Sequence, residues 1–196
     1  MSRRSLKPAV QPPGTADPGP WLRKTLAGRT KGELIEVLVE FARADRALLR
    51  RLAARFELKT PPKELIVATR QAIADATAFD EREINYNFSY DHEAYDAVKQ
   101  NLRRLIELGQ LRPAMELSLE LMAKGSYQVE SSDEGLMTED IEACFNPLLK
   151  ALPKCDLPTA ELIAWCDQML KRDRVGFICD QQLQALRQRL EASQSS

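Results

Sequence analysis

Between residues 30 and 190, apolar side chains recur at three- and four-residue intervals, the spacing that lines one face of an α-helix. Leu34, Ile35, Leu38, Phe41 and Ala42 form the first stripe, and Thr30 followed by Glu33 gives capping-box spacing at its start. Asp45 is placed to cap a second helix bearing Leu48, Leu49, Leu52, Ala53 and Phe56, so the two are expected to form an antiparallel hairpin with a short turn. A third helix is expected from Pro61, capped by Thr60, with Leu65, Ala68, Ala72, Ile73 and Ala76 on its inner face.

An aromatic polar passage, FDEREINYNFSYDH, follows at residues 79–92. Tyr95, Val98, Leu102, Leu105 and Ile106 then mark a helix over about 91–108, with Gly109 as its C-cap. The next helix, expected over about 111–124, sets Leu117 and Leu121 opposite Leu111, Met115, Leu119 and Met122. Apolar on both faces, it is expected to be the most buried. Ile141, Cys144, Phe145, Leu148, Leu149 and Leu152 form a further stripe, in which Pro147 removes a backbone donor and predicts a kink or break. Pro158 opens a helix carrying Leu162, Ile163, Cys166, Met169 and Leu170, and a last helix bears Leu183, Leu186 and Leu190. The expected fold is all-α, with about seven or eight helices stacked as antiparallel hairpins in a TPR- or HEAT-like right-handed array or an irregular bundle.

A short pattern recurs: Pro61-Pro-Lys-Glu-Leu65, Pro113-Ala-Met-Glu-Leu117 and Pro158-Thr-Ala-Glu-Leu162. One account is common helix-start chemistry, since Pro suits the first turn and Glu the positive end of the dipole. The other is a degenerate helical-hairpin repeat with a period near 45 residues.

The ends differ from the middle. Residues 1–20 hold five prolines and two glycines without apolar periodicity and are expected to be a disordered arm. Residues 21–190 are expected to form one helical domain, divisible into a basic lobe at 21–78 and an acidic lobe at 79–190, and residues 191–196 to fray. A net charge of −1 conceals this asymmetry: Lys and Arg outnumber Asp and Glu 13 to 6 in residues 1–60, but are outnumbered 15 to 23 thereafter. Such a division suits either an anionic partner for the first part or mutual attraction of the two. No apolar run reaches membrane-spanning length, and the basic start lacks the apolar core of a secretory signal, so a cytoplasmic protein with no membrane partner is expected.

Several chemistries fail on their own requirements. The run SYQVESSDEGLMTEDI at 126–141 invites a calcium-loop test with Gly135 at position six, but position one is Glu130 and position twelve, which should be a bidentate Glu, is Ile141. The run is read as a solvated connector, with Thr138 capping the helix that follows. With a single histidine, His92, and Cys144, Cys155, Cys166 and Cys179 scattered without a CxxC pair, no zinc ligand set forms, and the thiols read as reduced and mostly buried. Gly14 and Gly19 have the gap of a phosphate loop, but Pro20 and Trp21 stand where Lys and Ser/Thr are required. No catalytic residue, cofactor site or metal site is assigned, and an enzyme is not expected.

Two surfaces remain. Tyr86, Phe88, Tyr90 and Tyr127, with Glu130, Asp133 and Glu134, are candidates for protein docking if their rings face solvent. Arg46, Arg50, Arg51 and Arg55 are candidates for anion binding.

The stretch TKGELIEVLVEFARADRALLRRLAARFEL resembles the Leu-rich helical hairpin found beside SWIM-type zinc fingers in many bacterial proteins. NLRRLIELGQLRPAMELSLELMAKGSYQVESSDEGLMTEDIEACFNPLL is similar to the helical domain of unknown function that accompanies it, and together the resemblance spans roughly residues 30–150. The zinc signature, a CxC pair followed by CxH, is absent, so no zinc or DNA role is implied. In the connector, Ser131-Ser132 stand where the family's acidic pair is expected, and only Gly135 matches cleanly. The resemblance implies a bacterial, all-helical accessory domain. The expected function is a non-catalytic scaffold or adaptor for a protein partner, with a nucleic-acid-associated accessory protein acting through the arginine cluster as the alternative.

Overall fold

The computed structural model describes residues 19–56, 61–87 and 89–194. Among them every regular element is helical, and the all-α class is established. The chain forms two compact units, Met1–Leu52 and Ala53–Ser196. Residues 1–18 of the arm expected at 1–20, and the cap expected from Thr60, lie outside the described residues.

The first unit contains α1 (Gly19–Leu26), α2 (Lys31–Ala44) and the start of α3 (Arg46–Phe56). Gly19 and Pro20 therefore open a helix rather than ending an arm. The capping box at α2 forms in both directions: the Thr30 hydroxyl accepts from the Glu33 amide at 3.2 Å, and Glu33 Oε2 accepts from the Thr30 amide at 2.8 Å. Asp45 alone separates α2 from α3, and its carboxylate accepts from the amides of Ala47 and Leu48.

The second unit contains α4 (Pro62–Ala76), α5 (Glu81–Asn87), α6 (His92–Glu107), α7 (Leu111–Glu130), α8 (Thr138–Ala151), α9 (Thr159–Arg172) and α10 (Asp180–Gln194), with a 3₁₀ turn at Leu152–Lys154. Ten α-helices among the described residues exceed the seven or eight expected because α1 and α5 are short and lack a full apolar stripe. Asp80 starts α5 inside the aromatic passage by accepting from the amides of Arg82 and Glu83. The helix before residue 79 packs on α6, so it belongs with the acidic helices rather than with a lobe ending at 78.

These helices lie in two rows. In one, α6 packs on α8 and α8 on α10; in the other, α4 packs on α7 and α7 on α9. Neighbours within a row run in the same direction. Arg70 meets Glu120 and Ala76 meets Gln128 between α4 and α7, while Arg112 meets Glu161 and Ser126 meets Arg172 between α7 and α9. The sequence separations of these pairs are 50, 52, 49 and 46 residues. Between α6 and α8, Tyr95 meets Cys144 at a separation of 49. Each Pro-x-x-Glu-Leu segment starts a helix of the second row, and its leucine, Leu65, Leu117 or Leu162, is buried.

Helix α7 is the centre of this unit, touching α4, α6, α8 and α9. Ala114, Met115, Leu117, Leu121, Met122 and Val129 are all buried on it. Gly125 lets α8 approach: a Cβ built there would lie 2.9 Å from Ile141 Cδ1. Where α7 is polar inside, it is satisfied. Gln128 accepts from the Tyr95 hydroxyl and donates to Ala76 O at 3.2 Å, and Trp165 Nε1 donates to Met115 O at 3.1 Å.

Three boundaries differ from expectation. Helix α7 runs to Glu130, not 124, because Tyr127 and Val129 still have packing partners there. Of the kink or break expected at Pro147, the break does not occur: α8 continues to Ala151, where Leu148 is buried and packing outweighs one lost hydrogen bond. The tail expected to fray from Glu191 is helical to Gln194, with Leu190 anchoring the last turns. Gly109 caps α6 as expected, at φ +71°, with the Gly109 and Gln110 amides donating to Ile106 O and Leu105 O in a Schellman motif. Among the described residues no helix is long and apolar enough to cross a membrane.

Candidate docking edge

The connectors leaving second-row helices fall together at one end of the second unit. Residues 77–91, including α5, follow α4; residues 131–137 follow α7; residues 173–179 follow α9. Their adjacency follows from the parallel rows.

Asn85 ties the first two connectors. Its Nδ2 donates to Ser131 O at 3.3 Å and its Oδ1 accepts from the Asp133 amide at 3.0 Å. The polar run at 131–137 is thus a fixed turn. Gly135 takes φ +59°, its amide donates to Ser132 Oγ, and Met137 is fully buried beneath it. Thr138 does not cap α8 as expected: it is the first helical residue, and its hydroxyl donates back to Gly135 O at 2.7 Å. Asp133 and Glu134 are exposed on this turn.

Tyr86 projects from α5 and is 80% exposed. Beside it, Tyr90 turns partly inward. Its hydroxyl lies 2.8 Å from Asp140 Oδ2 and 3.2 Å from Leu136 O, and its single proton goes to the nearer, charged acceptor. Burial, and then that carboxylate, push the phenol's pKa above its ordinary value. His92 Nδ1 reaches the same Asp140 oxygen at 3.0 Å, with its ring 3.9 Å from that of Tyr90. Tyr90 therefore anchors the edge rather than presenting a ring to a partner.

Tyr127 and Glu130 are brought together by a residue the sequence did not single out. Arg174, from the third connector, lies with its guanidinium 4.9 Å from the centre of the Tyr127 ring and donates to Glu130. The Phe79 ring lies 5.8 Å from that of Tyr127, tilted against it. This connector folds around Asp173, whose carboxylate accepts from the amides of Val175 and Ile178, and it leaves Phe177 half exposed. Phe88 lies outside the described residues. Of the remaining docking candidates, Tyr86, Tyr127, Glu130, Asp133 and Glu134 are exposed, Tyr127 and Glu130 while engaged by Arg174, whereas Tyr90 turns partly inward. No local signal marks Asn85 or Arg174, whose partners lie more than 40 residues away.

The arginine cluster sits on α3. Arg51 and Arg55 are exposed and Arg50 is half-buried; the Arg46 side chain is outside the described set. A separate groove of 190 Å³ lies between the first turns of α7 and α9, floored by Met115, Leu119 and Trp165. Arg112 and Glu161 close it with a two-bond pair at 2.8 and 2.9 Å, which holds the Glu161 carboxyl below its usual range. Among the described residues no three His, Cys, Asp or Glu side chains converge as metal ligands. Cys144, Cys166 and Cys179 are buried, and burial pushes their thiols up to about 12, 11 and 12.

A scan against protein-family models, and comparisons with curated proteins and with solved structures, find no match to the chain, and so add nothing to the resemblance carried by residues 30–150.

Proposed function

We propose that this protein is a non-catalytic scaffold, a degenerate helical-hairpin repeat whose acidic connector edge docks a basic segment of a protein partner. The repeat reading is supported by second-row helices that begin with the same Pro-x-x-Glu-Leu pattern and pack in parallel at separations of 46–52 residues. Stacked repeats place corresponding connectors along one edge, where partners of such folds are bound.

The observation that carries the docking reading is Tyr86, 80% exposed on a helix that Asn85 ties to the neighbouring connector. A large amphipathic ring held on a rigid element contributes contact area at small entropic cost. Around it, Asp80, Glu81, Glu83, Asp133 and Glu134 are exposed, against Arg82 and, farther along the edge, Arg174 paired with Glu130, which favours a partner rich in Lys or Arg.

The test is affinity capture from a lysate of the native host, after nuclease treatment, with the wild-type chain beside Tyr86→Ala and Asp133→Lys/Glu134→Lys. Protein partners retained by wild type, weakened by moderate salt and lost from both variants support the proposal. Partners held equally by all three would exclude this edge. Recovery abolished by nuclease would transfer the function to α3 and its arginines.

A further inference from the structure

The C-terminal end of α7 is built against the usual preference of a helix. Its last residue is Glu130, a carboxylate set beside the negative pole, and Asp133 and Glu134 follow closely. Tyr127, three residues before Glu130, lies on the same face, so the helix itself holds an aromatic ring and a carboxylate side by side. A π face next to an anion is a receptor for a cation. A planar guanidinium, which stacks and donates at once, matches both parts better than an ammonium.

The structure contains such an occupant. Arg174 lies with its guanidinium 4.9 Å from the centre of the Tyr127 ring while its Nε donates to Glu130. The contact is shallow: the side chains of Arg174 and Glu130 are 51% and 44% exposed, and Tyr127 is 45% exposed. An ion pair so open to water contributes little to stability. Nor does the connector that carries Arg174 depend on it. Asp173 accepts from the amides of Val175 and Ile178, the Cys179 amide donates to Glu142, and Ile178 and Cys179 are buried. The Arg174 side chain can therefore leave without unfolding the backbone beneath it.

We propose that Tyr127 and Glu130 are the receptor for one arginine of the partner's basic segment, and that Arg174 fills it in the free protein as an autoinhibitory stand-in. This rests on the docking reading of the acidic edge. A tethered occupant competes at an effective concentration on the order of millimolar, so a lone arginine does not displace it, whereas a segment that also engages Asp133 and Glu134 does.

The test is titration of the full chain, at low salt, with a dye-labelled peptide of alternating arginine and glycine, followed by anisotropy. Arg174→Gln is expected to bind it about threefold more tightly than wild type. Arg82→Gln removes the same charge from the same edge without opening the receptor, and its gain should fall clearly short. Adding Tyr127→Leu to Arg174→Gln should abolish the gain and leave the helical circular dichroism unchanged. Equal affinities of wild type and Arg174→Gln would overturn the proposal, as would equal gains from Arg174→Gln and Arg82→Gln, or a gain that survives Tyr127→Leu. If Asp133→Lys/Glu134→Lys still weakens the peptide in any of those cases, the docking edge stands and only the stand-in falls. A peptide indifferent to all of these variants would remove the edge and the stand-in together.

Discussion

Helices α2 and α7 both carry apolar residues around most of their circumference, and they end in opposite environments. On α7, Leu117, Leu121 and Met122 are buried to within 1% of complete. On α2, Leu38 and Phe41 remain 44% and 54% exposed. The difference is one of neighbours. Four helices surround α7, and each of its faces meets one of them. The lesson is that a two-faced apolar helix needs covering, but its pattern does not say whether the cover belongs to the same molecule.

The sharpest way to break this comparison is truncation at matched positions. Leu121→Ala on α7 should cost about 2–5 kcal/mol, because a filled site becomes a cavity. Leu38→Ala on α2 should cost less than about 1 kcal/mol at concentrations where the chain is monomeric, since half of that side chain is already in water. Urea unfolding followed by the buried Trp165, in a Trp21→Phe background, measures the first, and far-ultraviolet circular dichroism the second. Equal losses would mean that α2 is covered within the single chain.

A smaller effect separates the helices by their polar anchoring. Tyr95→Phe removes the donor to Gln128 and leaves a buried amide oxygen on α7 without it, at a cost of about 1–3 kcal/mol. Tyr86→Phe, on the exposed edge, should change stability by no more than about 0.5 kcal/mol. The same unfolding assay reads both, and a neutral Tyr95→Phe would show that water replaces the lost bond.

The smallest effect is electrostatic and appears in acid. Glu120 on α7 is pushed up by burial, but bonds to Lys124 and Arg70 more than offset this and hold its carboxyl below the ordinary value. Its contribution is therefore complete above the unfolded pKa of about 4.3 and disappears as pH falls through the lower folded value. Solvent screening limits it to about 1 kcal/mol or less. Glu33 at the start of α2 is lowered by its bonds to Thr30, so it loses its contribution in the same direction. Glu120→Gln should flatten the acid limb of stability for the second unit and leave that of α2 unchanged, as read from unfolding midpoints between pH 5 and 2.5.

Much of the helical layout was legible because its determinants are local. Thr30 and Glu33, Asp45, and Gly109 lie within a few residues of the groups they satisfy, and the stripes of α4, α6, α9 and α10 repeat at helical spacing. The apolar character of α7 on both faces correctly marked it as central. The end of α7 was misplaced for the opposite reason: Tyr127 near that end is held by Phe79 and Arg174, which come from two connectors distant in sequence. The docking candidates divided in the same way. Nothing near Tyr90 or Tyr127 in sequence reveals Asp140 or Arg174, so the inward turn of Tyr90 and the pairing of the exposed Tyr127 were hidden, while Tyr86 is 80% exposed.

The sequence by itself determined that this chain is helical, where most helices begin, and which side chains seek an apolar environment, because capping and periodicity act over one or two turns. Tertiary structure alone decided that second-row helices stack in parallel and that three connectors meet at one end. Those outcomes depend on contacts between residues some fifty positions apart, such as Arg70 with Glu120, at a separation of 50. Local propensity carries no information at that range; only the packing of complete helices selects the partners.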